Sequence, residues 1–415
     1  MLDINKIRND QEGIRKSLLK RMEASKLDLI LKKILKFDEE RRELIQKTEE
    51  LKAERNKHSK TKPTPEIIAN MKKIGEEIKT IDLKLNEVET KLNETMAELP
   101  NIPADDVVAG GKEKNKIVKT YLKKPKFKFE PKDHVELATN LDIIDYERGV
   151  KMSGNGFWVY KGQGAILEWA LLSYFIEFHT KNGYLFMIPP FLLTEQSAYT
   201  SGHLPKFKED LFWTQDKTCL NATSEMMLGN YHRDEILDEK KLPLKYCAYS
   251  ACFRREAGSY RKEERGMIRG HQFNKVEMFQ FTKPEDSAKA FDELTANAEK
   301  LVEGLGLHYQ TTLLAAGDAS AAMAKTKDIE VWIPSMEIYK EVSSASNAMD
   351  YQARRGNIRY KNSETDKNEF VHTLNASGLA TSRLFPAILE QFQQADGSVK
   401  IPKVLQKFTG FDTIK

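Results

Sequence analysis

Apolar residues recur through the first hundred positions in alternating steps of four and three. Ile30, Ile34, Phe37, Arg41, Leu44, Thr48, Leu51 and Arg55 trace one seam, and Ile67, Met71, Ile74, Ile78, Ile81, Leu85, Val88, Leu92, Thr95 and Leu99 trace a second. That period belongs to a helix presenting one stripe to a partner helix. Between the seams, Lys60-Thr-Lys-Pro-Thr-Pro65 reads as a turn. Neither stripe is buried alone, so the pattern predicts two antiparallel helices of about 33 residues, reaching roughly 50 Å at ~1.5 Å per residue. Pro100-Asn-Ile-Pro103 stops the second helix, because proline cannot continue the hydrogen-bond ladder.

The pattern then changes. Gly110-Gly111 and a Lys-rich stretch with Pro125 and Pro131 read as a linker over residues 106–132, with at most short strands. This gives a helical hairpin over residues 1–105 and a second domain over 133–415. In that domain short alternating runs mix with helices such as Ala165 to Phe178, in no regular βα order. The expected fold class is α+β, the hairpin arm being followed by a mainly antiparallel sheet flanked by helices. Neither GxGxxG nor GxxxxGK(S/T) occurs, which disfavours Rossmann and P-loop nucleotide sites.

Composition narrows the classes. The 415 residues carry 66 Lys and Arg against 62 Asp and Glu, so any polyanion site is local rather than a property of the global field. Three cysteines without CxxC spacing, Cys219, Cys247 and Cys252, fit a reducing compartment and argue against a disulfide framework or a structural zinc site. The N-terminal sequence lacks the apolar core of a leader, and no apolar run approaches the ~20 residues of a membrane span. A cytoplasmic protein without membrane association is expected. One local cluster stands out at the hairpin turn, where Lys52, Arg55, Lys57, Lys60 and Lys62 are interrupted only by Glu54. Basic residues at the end of a rigid arm suit contact with a phosphate backbone. A spacer or dimerisation coiled coil with a solvated tip satisfies the same periodicity.

Three clusters in the second domain bear chemistry. Cys252-Phe-Arg-Arg-Glu-Ala-Gly-Ser259 and Arg269-Gly-His-Gln-Phe-Asn-Lys-Val-Glu-Met-Phe279 read as a long-looped hairpin, with Arg254 and Glu256 on one face of its first strand and Phe273, Lys275 and Glu277 on one face of its second. An arginine fork suits phosphate, a ring stacks on a purine, and a carboxylate receives an ammonium group. The second cluster is Asp328 to Pro334 followed by Tyr339-Lys-Glu-Val-Ser-Ser-Ala-Ser-Asn347 and Gln352-Ala-Arg-Arg355. The third runs from Phe370 to Arg383 as a strand, with Asn375 and Ser377 sharing a face, entering a helix from Leu384 to Gln394.

These stretches resemble the second and third signature motifs of class II aminoacyl-tRNA synthetases. Thr223-Ser-Glu225, His232 to Asp238 and Glu256-Ala-Gly-Ser259, together with the arm, are similar to the seryl-tRNA synthetase family of bacterial type over essentially the whole chain. The resemblance implies ATP-dependent serine–tRNA ligase chemistry, with ATP and Mg2+ as the cofactors. Serine and tRNA(Ser) are the implied partners, with tRNA(Sec) a second candidate and a homodimer formed through Gly183 to Pro190. It implies that Arg254 meets the α-phosphate, Arg269 holds the nucleotide, Phe273 stacks on adenine and Arg383 meets the γ-phosphate. Arg255, Glu256, Val342 and Ser343 complete the implied ATP site, with Arg254, Glu256 and Arg383 as its catalytic residues. Glu341 and Ser344 are the implied magnesium ligands, a carboxylate and a hydroxyl suited to a hard cation. Strict alternation puts those two on opposite faces, so a bulge or turn is expected between them. Thr223, Ser224, Glu225, Arg254, Glu277, Asn375 and Ser377 form the implied serine site, and the basic tip the implied tRNA contact.

The chain departs from the family pattern at Ala376, Ser382 and Pro386, and matches it loosely around Gly317 to Ala322. Pro386 is expected in a first helical turn, where its missing N–H has no intrahelical partner. Two rival readings are a paralogue loading a small amino acid onto a carrier protein and a non-catalytic coiled-coil RNA-binding protein. The first has no use for the arm, the second none for Arg254, Glu277, Glu341 and Arg383 together.

Overall fold

The computed structural model describes residues 1–58, 64–256 and 266–415. Lys60 and Lys62 of the expected tip, and Ala257 to Ser259 of the second motif, lie outside the described residues. The chain divides into two compact units, Met1–Ile102 and Pro103–Lys415.

In the first unit, α1 (Ile4–Asn9) and α2 (Gln11–Leu18) precede two long helices, α3 (Ala24–His58) and α4 (Pro65–Ala97). Thr64 caps α4 by accepting from the Ile67 N–H at 3.3 Å, and Pro65 occupies the first turn, where no N–H is required. The ion pairs Glu40–Lys84, Arg41–Glu89 and Lys47–Glu77 link the two helices. Residue numbers fall along α4 as they rise along α3, so the helices are antiparallel, as the seams require. These exposed pairs fix register and contribute little stability. The burial lies in the stripes: Ile30, Ile34 and Thr48 on α3, and Ile74, Ile78, Ile81, Val88, Leu92 and Thr95 on α4. Arg8 binds the buried Asp38 of α3 through two hydrogen bonds of 2.8 and 2.9 Å. That pair, like α1 and α2, falls outside the heptad pattern.

The second unit is built on an eight-stranded sheet. Its strands in chain order are β1 (Lys116–Tyr121), β2 (Leu185–Met187), β3 (Leu244–Phe253), β4 (Gln272–Thr282), β5 (Tyr309–Leu313), β6 (Lys325–Ile333), β7 (Ile338–Met349) and β8 (His372–Ala380). They lie in the order β1-β5-β6-β7-β8-β4-β3-β2. Every pairing is antiparallel except that of β2 with β3. Within the expected linker, Lys116–Tyr121 forms the β1 edge of this sheet.

Period-two geometry divides the sheet into two chemically distinct faces. Val276 and Met278 of β4, Leu374 and Ala376 of β8, Ala345 of β7 and Ile329 and Val331 of β6 join one apolar core. The same core holds Leu171 and Phe175 of the helix Gln163–Lys181, Leu294 and Leu301 of the helix Ser287–Leu305, and Phe385 and Ile388 of the helix Thr381–Phe392. Alternate residues on the same strands, among them Lys275, Glu277, Ser346, Asn375 and Ser377, line a cavity instead. Ala376 therefore packs in the core.

The last of those helices begins at Thr381 rather than at the expected Leu384. Pro386 consequently sits in the second turn, a correction to the expected first-turn placement, and its ring removes the N–H that would have bonded the carbonyl four residues earlier.

Candidate active site

A cavity of about 430 Å³ opens on the polar face of the sheet. β4 contributes Lys275 and Glu277, β8 contributes Asn375 and Ser377, and β7 contributes Glu341, Ser344 and Ser346. Thr223 and Glu225, at the start of the short helix Glu225–Leu228, close another wall. A recess of about 60 Å³ shares Arg254, Glu256, Arg269, Lys275, Glu341 and Ser377 with the cavity and adds Phe273, Val342 and Arg383.

Arg254 and Glu256 reach the site by a route that differs from the expected strand. β3 ends at Phe253, the Arg254 N–H donates to the His271 carbonyl at 2.9 Å, and the Arg255 N–H donates to the Asp210 carbonyl at 2.9 Å. Glu256 then turns back with φ +51° and forms an ion pair with Arg269. Arg254 donates through Nε to the Ala222 carbonyl at 3.2 Å and lies 5.2 Å from the Phe273 ring centre. An aromatic face and a guanidinium thus stand side by side, the pairing that a purine nucleotide requires.

Glu341 and Ser344 both line the cavity. Ser343 pairs with Ile329 and Glu341 with Glu330, so Val342 is an extra residue without a partner on β6. This is the expected bulge, and the buried Val342 anchors it in the core. Arg383, in the first turn of its helix, donates to the Glu341 carbonyl at 2.9 Å and stands 3.5 Å from its carboxylate.

The ammonium of Lys275 pairs with Glu277 and donates to Thr223 Oγ1 at 2.6 Å, all three residues being buried. Gln352 donates to Glu225 at 2.7 Å. Burial first, and then the charge of Glu277, push the Glu225 carboxyl up to about 7 against the opposing pull of Lys275. Asp328, paired with Ser344 across the strands, is likewise pushed well above the carboxylate range by burial and by Glu341.

Three expected site residues point elsewhere. The Arg255 side chain is exposed and does not line the cavity. Ser224 Oγ lies 2.7 Å from Ser250 Oγ in the interior, and Ser343 donates to the Ser377 carbonyl at 2.6 Å. Lys275, Gln352 and His203 are site residues to which the motifs assigned no role. Lys275 is visible in the sequence as the neighbour of Glu277 on one strand face, and Gln352 belongs to the second cluster without a role there; nothing local assigns a place in the site to His203.

Residues 207–392 match the family profile of the tRNA synthetase class II core domain (G, H, P, S and T), and residues 1–103 match that of the seryl-tRNA synthetase N-terminal domain. A Clostridium acetobutylicum protein, serine–tRNA ligase 2, is 54% identical, the alignment covering 100% of both chains. The chain belongs to the serine–tRNA ligase family. Among solved structures, the Pyrococcus horikoshii seryl-tRNA synthetase complexed with ATP superimposes with a TM-score of 0.92 at 35% identity, over 100% of this chain and 99% of that one. The cytoplasmic Naegleria fowleri enzyme in complex with AMP gives 0.87 at 31% identity, with the same coverage. As a member of this family the chain is a ligase forming aminoacyl-tRNA. No helix among the described residues is long and apolar enough to cross a membrane.

Proposed function

We propose that the cavity condenses serine with ATP and passes the seryl group to the 3′ end of tRNA(Ser), with tRNA(Sec) as a second acceptor. One observation carries the reading: side chains from five separate segments, Thr223–Glu225, Arg254–Glu256, Arg269–Glu277, Glu341–Ser344 and Asn375–Arg383, converge on one cavity and its recess. Phe273 and Arg269 receive the adenine and nucleotide, while Arg254 and Arg383 offset charge on the α- and γ-phosphates. The carboxylates of Glu225 and Glu277 receive the serine ammonium, with Thr223, Asn375 and Ser377 around the rest of the amino acid. Serine's own carboxylate attacks the α-phosphorus and pyrophosphate departs, so the protein supplies positioning and preorganised charge rather than a nucleophile. A pocket built to pair a hydroxyl discriminates against alanine, which leaves that partner unpaired.

Glu341 and Ser344 present hard oxygen donors on one side of β7 and would hold a magnesium ion, which neutralises phosphate charge when bound. The exposed Lys52, Arg55 and Lys57, with Lys60 and Lys62, form the tRNA contact of the arm. Trp169, Leu185 and Ile188 are large apolar side chains left exposed in the single chain, which supports a homodimer through that surface. The cytoplasm is the proposed compartment.

The test is pyrophosphate exchange with serine, alanine and threonine in parallel, followed by charging of tRNA(Ser) and tRNA(Sec). Serine-dependent exchange at least tenfold above the others supports the reading. Equal exchange with another amino acid overturns it.

A further inference from the structure

His203 lines the cavity and is used by none of the roles assigned above. It follows the short helix Glu195–Thr200 through Ser201 and Gly202. Gly202 holds φ +86°, and a side chain there would meet the Ala322 methyl at 2.9 Å. The turn that carries His203 to the wall therefore depends on that glycine.

The ring is engaged at one nitrogen. Nδ1 lies 2.9 Å from Ser201 Oγ. Ser201 is buried, and its hydroxyl also reaches the carbonyls of Ala198 at 3.1 Å and Ser197 at 3.2 Å. With its single proton directed to a carbonyl, the hydroxyl turns a lone pair to the ring, so Nδ1 carries the imidazole hydrogen and Nε2 the lone pair. Burial, followed by the positive charges of Arg254, Lys275 and Arg355, pushes the His203 pKa down to about 3, so the ring is neutral. The hydrogen bond that engages the ring goes through Nδ1, which leaves Nε2 for a ligand.

We propose that His203 Nε2 accepts a hydrogen bond from a substrate hydroxyl, supplied by the side chain of serine or by the terminal ribose of the tRNA. The proposal rests on the reading of the cavity as a serine and tRNA-terminus site. In that role His203 is a specificity and positioning residue. Lys275, Arg254 and the carboxylates hold charge, whereas Nε2 is a neutral acceptor with no charge to neutralise.

His203→Ala and His203→Gln separate the possibilities, because a glutamine carbonyl can reach the place of Nε2. If the hydroxyl is serine's, His203→Ala lowers the serine-to-alanine ratio in pyrophosphate exchange about tenfold and His203→Gln restores most of it. That ratio does not depend on how much protein is folded. If the hydroxyl is the ribose's, the ratio stays put, and single-turnover transfer from preformed adenylate slows about tenfold in His203→Ala, again recovering in His203→Gln. The proposal is overturned if His203→Ala leaves both measurements within twofold of the unaltered chain, or if His203→Gln is as impaired as His203→Ala. Absence of serine exchange in the unaltered chain would instead defeat the reading of the cavity, whatever His203 does.

Discussion

Glu341 and Ser344 face the same cavity although they lie three positions apart, because Val342 occupies a bulge and β6 offers it no partner. A regular strand would turn one of the two into the apolar core. The bulge is thus the local device that puts a carboxylate and a hydroxyl on the same side of β7. Glu341→Gln keeps the shape but loses the anionic ligand, and should raise the magnesium required for half-maximal exchange by at least tenfold. An unchanged magnesium titration in Glu341→Gln would remove the residue from the cation site.

Arg254 is tied to the protein by one Nε hydrogen bond and its proximity to Phe273, so its guanidinium serves the cavity rather than the core. Arg254→Ala should slow adenylate formation about a hundredfold, in keeping with ~3 kcal/mol for one preorganised charge contact. Circular dichroism and the denaturation midpoint should stay close to those of the unaltered chain. Exchange within twofold of normal would end this assignment.

The arm was legible because coiled-coil periodicity is a long, one-dimensional signal, and most of the α4 seam is buried together with Ile30, Ile34 and Thr48 of the α3 seam. The site was legible where residue type and strand alternation coincide, as with Phe273, Lys275 and Glu277 on β4 or Asn375 and Ser377 on β8. Legibility ends where the backbone leaves the period. Arg254 and Glu256 lie beyond the end of β3, and Glu256 adopts a left-handed conformation that no alternation rule anticipates. His203 comes from a turn whose only relation to the other site residues is three-dimensional. The helix after β8 starts three residues early because Thr381 and Ser382 are poor markers of a helical start without a side-chain cap.

Glu225 gives a pH-dependent prediction. Its folded pKa of about 7 exceeds the ordinary 4.5, so the folded chain favours the neutral carboxyl. The associated stability is complete below about pH 4.5 and is lost as pH rises through 7. Burial sets this shift first, Glu277 adds to it, and Lys275, Gln352 and Arg254 oppose it. Glu225→Gln stays neutral and keeps an acceptor for Gln352, so urea denaturation should show it more stable than the unaltered chain at pH 8, by up to about 3 kcal/mol, with the difference closing near pH 5. The variant should also bind serine more weakly, having lost a carboxylate for the ammonium. A pH slope identical to that of the unaltered chain would show that Glu225 is not the titrating group.

The two compact units, Met1–Ile102 and Pro103–Lys415, allow activation to be separated from charging. Every residue of the cavity and recess belongs to the second unit, so removal of residues 1–102 should leave serine-dependent pyrophosphate exchange within about threefold of normal. Charging of tRNA should fall by two orders of magnitude or more, because the phosphate contacts proposed for the arm would be electrostatic and add affinity away from the reacting atoms. Neutralising Lys52, Arg55 and Lys57, all exposed near the end of α3, is the milder form of the same test. It should weaken tRNA binding and reduce the slope of log affinity against log salt by roughly one unit for each phosphate that a side chain no longer neutralises, with serine exchange unchanged. Full charging by the shortened chain, or an unchanged salt slope in the triple variant together with normal charging, would make the arm a spacer or an interface element rather than the tRNA contact.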